Sequence, residues 1–310
     1  MQKLIKRLIA PAFYVAVAVF AYFYLRNIDW ATLFKIRIEW LWMLAATGAS
    51  IAVRFWFAEI WMLLLRRLGA SIQSDRFELF VVYAKSWLGR YIPGGATWIL
   101  GKIYFATKLG ISKTKLAISS FLEGALQIIV VLITASIMLA FDPHVAEFGR
   151  GWVFALLGAA LVGLVSVYPP VFNRMVSFGY QKVRKSSIEQ GSLPSSATVG
   201  VGISAFALSS LLSGLSFYFV ALAVDPNLGL QDLLFVVGCS NLASALSMLA
   251  VFAPAGLGVR ESVQLGMLVL VMPAEAALVA TVLMRLWSIV MDALFLAISL
   301  LLRRLDRVRA

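Results

Sequence analysis

Apolar runs long enough to cross a bilayer follow one another along almost the whole chain, and two of them are interrupted by proline and glycine. The interruptions are Tyr91-Ile92-Pro93-Gly94-Gly95 and Phe252-Ala253-Pro254-Ala255-Gly256. Proline removes a backbone donor and clashes with the preceding turn, while glycine lets the backbone turn or be approached closely. In hydrocarbon an opened backbone is tolerated only where protein or a water-filled cavity covers it. Interruptions at corresponding places in two halves of a chain point to the substrate site of a transporter-like fold. Pro93 and Pro254 stand 161 residues apart in a chain of 310.

A spanning helix takes about 20 apolar residues. Full spans are expected at about 8–26, 40–65, 115–141, 152–171, 197–224 and 274–302. The stretches 77–109 and 231–271 each read as two shorter helices meeting at a break. A helix of about 15 residues covers roughly 22 Å, less than the ~30 Å hydrocarbon core. Each pair is therefore expected to enter and return on one face; the alternative is that both members cross with tilt. The reading is an all-α integral membrane protein of about six full spans plus two re-entrant helical hairpins broken by Pro and Gly.

Composition agrees. The chain is 62% hydrophobic and 14% charged, against roughly 45–50% and about 25% in soluble domains. The spans take up nearly the whole length, so residues 1–310 read as a single transmembrane domain with no room for a soluble catalytic one. The net charge of +12 does not indicate nucleic acid, because spans interrupt it everywhere; it is the basic bias of cytoplasmic helix ends. The opening residues carry Lys3, Lys6 and Arg7 like a signal peptide. Their apolar run continues to Leu25 without a small-residue cleavage site, so it reads as a retained span. Cys239 is the sole cysteine and excludes an intrachain disulfide. His144, the sole histidine, sits with Asp142 and Glu147 in what reads as a solvated loop rather than a metal site. No cofactor is implied.

An inside N-terminus puts Lys3, Lys6, Arg7, Arg66, Arg67, Arg76, Lys108, Lys113 and Lys115 in the cytoplasm. It does the same for Arg174, Lys182, Arg184 and Lys185 and for Arg303, Arg304, Arg307 and Arg309. Only Arg26, Lys35, Arg37 and Arg150 fall outside. Both termini are thus expected in the cytoplasm. The halves align as residues 1–151 and 152–310, three spans and one hairpin each. Three crossings per half is odd, so the second half is expected to be inverted. Residues 172–196 read as a basic cytoplasmic linker, attractive to anionic headgroups.

Charges inside spans are costly and usually face a cavity or a bundle interior. Arg54 and Glu59, Glu123, Arg260 and Glu261, and Arg285 and Asp292 are such charges. Glu123 follows Pro93 by 30 residues and Arg285 follows Pro254 by 31. They are expected to approach each other or a shared ligand. Arg54 and Glu59 read equally well as glue between helices. Each break also frees backbone N–H groups at the start of a half-helix, which with the helix dipole favours an anion. Gly94, Gly95 and Thr97 would line one such pocket, and Gly256, Gly258, Arg260 and Glu261 the other. Arginine adds a forked donor suited to phosphate. Lys102 and Arg90 are expected to offer entry contacts on the cytoplasmic side, and Trp87 and Trp98 to pack against acyl chains. Gly95 to Lys102 is not a nucleotide-binding loop, since Ile103 stands where Ser or Thr is needed.

Pro93-Gly94-Gly95, Leu122-Glu123-Gly124, the run Pro254-Ala255-Gly256-Leu257-Gly258-Val259-Arg260-Glu261 and Arg285 together resemble the transmembrane domain family of lysylphosphatidylglycerol synthases. The likeness extends over nearly the whole chain. It implies a flippase-like protein moving lipids or lipid-linked groups between leaflets of a prokaryotic inner membrane. Gly124 stands where that family often has a basic residue, and the aminoacyl-transferring domain is expected to be absent because the chain stops at Ala310.

The leading reading is a flippase-like transporter in lipid transport, not an enzyme. It would bind a phospholipid or lipid-linked anionic headgroup through Pro93, Gly94, Gly95, Glu123, Pro254, Gly256, Gly258, Arg260, Glu261 and Arg285. Glu59 and Asp292 would carry coupling protons. Partners are membrane lipids, with a separate synthase or transferase and an oligomer both compatible. The alternatives are a membrane-embedded enzyme on polyprenyl-phosphate lipids, short of nucleophiles with one Cys and one His, or an accessory scaffold for a separate lipid or glycosyl transferase.

Overall fold

The computed structural model describes residues 35–72, 74–92, 97–147, 149–184, 191–251 and 253–309, with Ala31 and Ile188. The span expected at 8–26 and the motif Pro93, Gly94, Gly95 lie outside the described residues. Those described are mostly helix, with no strand among them.

Helix α1 (Trp40–Arg67) is 28 residues without proline. Arg66 and Arg67 close its last turn, where cations offset the dipole. Gly69 then takes a left-handed φ of 67°, and Ala70 N–H returns to the Leu65 carbonyl at 3.1 Å. That is a glycine-dependent helix stop. The first hairpin follows as α2 (Arg76–Leu88), a 3-10 turn at Gly89–Tyr91 and α3 (Thr97–Thr107). Helix α4 (Lys113–Ala140) and short α5 (Pro143–Glu147) complete the first half. Then come α6 (Gly151–Val167) and α7 (Pro169–Arg184), bent from each other by 65°. Pro169 and Pro170 account for the bend, since neither supplies a backbone N–H. Part of the stretch expected as a linker from residue 172 is therefore helix. Helix α8 (Ser196–Val224) starts where Ser195 Oγ accepts the Thr198 N–H at 3.2 Å. The second hairpin is α9 (Leu233–Leu249), a 3-10 turn at Pro254–Gly256 and α10 (Val259–Leu268). Helix α11 (Ala274–Arg309) is the last described element.

Five helices are long and apolar enough to cross a membrane, six if the bent α6–α7 pair counts as one span. One of the five is Leu230–Leu249, the first arm of the second hairpin, which suits the alternative of a crossing member better than a short re-entrant one. In the first hairpin, α2 and α3 have 13 and 11 residues. At 1.5 Å per residue they reach only about 20 and 16 Å.

Packing follows a regular exchange. α1 packs on α8. α2 packs on α11 as α9 packs on α4, and α3 on α4 as α10 on α11. The 3-10 turns of the two breaks touch each other. One apolar cluster joins α4, α8, α9 and α11 through Leu139, Phe217, Phe235 and Ala280. Another joins α1, α2 and α11 through Trp61, Tyr83 and Phe295.

Candidate functional site

The two breaks meet beside an internal cavity of about 700 Å³. α4 lines it with Ser120, Gly124, Gln127 and Val131, spaced four, three and four residues apart on one face. That face runs about 16 Å along the helix. Gly256 belongs to the wall because the chain passes so close to α9: a Cβ there would lie 2.3 Å from the Cβ of Ser247. Its φ of 67° and that of Ala255, 51°, are left-handed, so the break is a folded turn rather than a kinked helix.

Four arginines line the cavity: Arg54, Arg90, Arg260 and Arg285. No carboxylate is among the lining residues described. Just behind the wall, two carboxylates hold three of the guanidiniums. Asp292 Oδ1 accepts Arg54 Nε at 2.8 Å, while Oδ2 accepts Arg90 Nη2 at 2.5 Å and the Tyr91 hydroxyl at 2.6 Å. Arg54 also donates to the carbonyls of Ser50 and Ser288 at 2.8 and 2.9 Å. Asp292 thus ties α11 to α1 and to the turn of the first break. Glu261 Oε1 lies 3.2 Å from Arg285 Nη1, and its Oε2 accepts the Gly258 N–H at 2.7 Å. Arg285 donates to the Ala255 carbonyl at 3.1 Å, so it braces the turn of the second break. Among the described residues Arg260 has no ion-pair or hydrogen-bond partner, and its Nε is buried.

Glu123 stands apart from this group. It accepts Lys102 Nζ at 2.5 Å and the Tyr83 hydroxyl at 2.9 Å, and both members of the ion pair are buried. The Lys102 ammonium is also caged by the rings of Trp61, Tyr83 and Trp98 at 5.4, 4.2 and 4.6 Å. Glu123 and Arg285 therefore do not pair, contrary to the expectation from their similar offsets. The sequence offered no sign that Lys102, 21 residues earlier on another helix, would reach Glu123 first. Lys102 is buried against Glu123 and so offers no entry contact, whereas Arg90 lines the cavity. Glu59 pairs with Arg76, a largely exposed side chain, away from the cavity. Gly258 and Glu261 line a small separate cleft that shares Arg285. Trp87 and Trp98 face the cavity, edge to face at 6.4 Å.

Sequence reasoning missed the serines. Ser209, Ser213 and Ser216 on α8 and Ser244 and Ser247 on α9 line the cavity. Their three- and four-residue spacing inside apolar helices was the available signal. Cys239 is buried, with its thiol 3.8 Å from the Gln264 carbonyl.

Fold and site together define a multi-pass, all-helical membrane protein with a polar, cationic chamber between broken helices. The family described as the lysylphosphatidylglycerol synthase TM region matches residues 7–295. The chain belongs to that family. Comparison with curated protein sequences gives no match.

Proposed function

We propose that this protein is a flippase-like lipid transporter. It binds an anionic phospholipid or lipid-linked headgroup in the arginine-lined cavity and carries it between leaflets of a prokaryotic inner membrane, without chemical change to the lipid. The cavity wall carries this reading: four guanidiniums and no carboxylate among the described lining residues. A polar, cationic chamber inside apolar helices suits a headgroup whose tails stay in lipid. Arg260, which makes no ion-pair or hydrogen-bond contact among the described residues, is the first phosphate ligand; Arg285 is the second, turning from Glu261.

Two further features of the mechanism are proposed with it. The matched contacts of α2 with α11 and of α9 with α4 support an inverted repeat, with both termini in the cytoplasm and the breaks at its centre. Asp292, released when a phosphate takes its arginines, would accept a coupling proton. Leaflet exchange of labelled phosphatidylglycerol in proteoliposomes tests the reading. The wild-type protein is expected to accelerate exchange, and Arg260→Ala and Arg285→Ala to abolish most of it. Undiminished exchange in both variants would remove the proposed site.

A further inference from the structure

We infer that the headgroup taken by the cavity carries a phosphate and a neutral, hydroxyl-bearing group, and that an amine-bearing headgroup is excluded. This rests on the reading of the cavity as a lipid-headgroup site and specifies its ligand.

The wall is divided by hydrogen-bonding character. The arginines offer only donors. Ser244 and Ser247, both partly exposed to the cavity, give their hydroxyl protons to the carbonyls of Ser240 and Ser244 at 2.8 and 2.9 Å. What they present to a ligand is lone pairs. Ser209 and Ser210 on α8 are bonded back to their own helix in the same way, at 2.8 Å each. An acceptor surface thus lies within reach of a donor surface. A phosphate fits the guanidiniums, and a group that donates hydrogen bonds fits the neutral oxygens of these serines.

Hydroxyls and ammonium groups both donate, and three features decide between them. An ammonium is held most strongly by a carboxylate or an open aromatic face, and the described wall holds no carboxylate. Its two indoles, the strongest cation acceptors among the rings, are already engaged: Trp87 carries the Arg90 guanidinium at 4.7 Å and Trp98 the Lys102 ammonium at 4.6 Å, which leaves the weaker phenyl rings of Phe57 and Phe121. Four guanidiniums repel any added cation, and two carboxylates behind the wall offset only half of their charge. A glycerol, inositol or sugar hydroxyl meets none of these obstacles.

The test uses purified full-length protein in mild detergent and reads lipid binding by calorimetry. The probes are dioctanoyl phosphatidylglycerol, phosphatidylinositol, phosphatidic acid and phosphatidylethanolamine, with lysyl-phosphatidylglycerol and a polyprenyl-phosphohexose. Hydroxyl-bearing lipids are expected to bind more tightly than phosphatidic acid, and Ser244→Ala with Ser247→Ala to erase that difference. Lysyl-phosphatidylglycerol is expected to bind about tenfold or more weakly than phosphatidylglycerol, the scale of placing a like charge several ångströms from a guanidinium. The tighter of phosphatidylglycerol or phosphatidylinositol on one side and the polyprenyl lipid on the other identifies the source of the hydroxyls, and either order supports the inference. Lysyl-phosphatidylglycerol or phosphatidylethanolamine binding as tightly as phosphatidylglycerol would overturn it while leaving the transporter reading standing. If none of the lipids binds, both fall.

Discussion

Arginine and glutamate play unequal parts in the interior, and their immediate neighbours decide which. Lys102 and Glu123 satisfy each other inside an aromatic cage, so they belong to the core. Removing one partner leaves the other charge buried and alone, a loss of about 3–5 kcal/mol, whereas replacing both with apolar residues of similar volume is often neutral. Lys102→Met is therefore expected to destabilise the protein strongly in detergent, and Lys102→Met with Glu123→Leu to recover most of the loss in thermal unfolding. A double variant no better than the single one would show that the pair does more than neutralise itself. Arg260 is the opposite case, a cation on a cavity wall with no ion-pair or hydrogen-bond contact among the described residues. Both kinds of residue stood out as charges in apolar stretches, but their partners did not. Pairing across helices depends on rotation and register, and a single sequence carries neither.

At the scale of elements, the breaks are where expectation and structure meet most closely. The turn at Pro254–Gly256 separates α9 from α10, and Arg285 anchors it through the Ala255 carbonyl. Proline and closely spaced glycines made that break legible. The length of the Leu230–Leu249 arm, sufficient to cross, was less so, because apolar composition does not say where a helix lies in the bilayer. The bend at Pro169 was also hidden, since the residues beyond it read as a polar linker although their spacing is helical. The central pair, α1 and α8, is held by a buried contact between the hydroxyls of Ser50 and Ser216 at 2.6 Å. Cysteines there are close to the ~2 Å sulfur separation of a disulfide. Ser50→Cys with Ser216→Cys, in a Cys239→Ser background, is expected to cross-link on oxidation. A protease site introduced between α7 and α8 would then yield two fragments that stay joined until reduced. Fragments that separate without reductant would place α1 and α8 apart.

For the whole molecule, the contacts exchanged between α2–α11 and α9–α4 suit two halves related by inversion. Single cysteines replacing Ser71 and Asn227, again without Cys239, are expected to react with impermeant reagents from opposite faces of sealed vesicles. Reaction of both from one face would rule out the inversion. The multi-pass helical class was plain from the length and repetition of the apolar runs; the serine-lined chamber was not, because a cavity arises only once separate helices are assembled. The decisive measurement is leaflet exchange of phosphatidylglycerol in proteoliposomes, comparing arginines inside the chamber with one outside it. Arg260→Ala and Arg285→Ala are expected to lose most of the exchange, while Arg76→Ala, largely exposed beside Glu59, keeps it. Equal exchange in all three, or equal loss, would contradict the claim that the chamber between the breaks is the path of the headgroup.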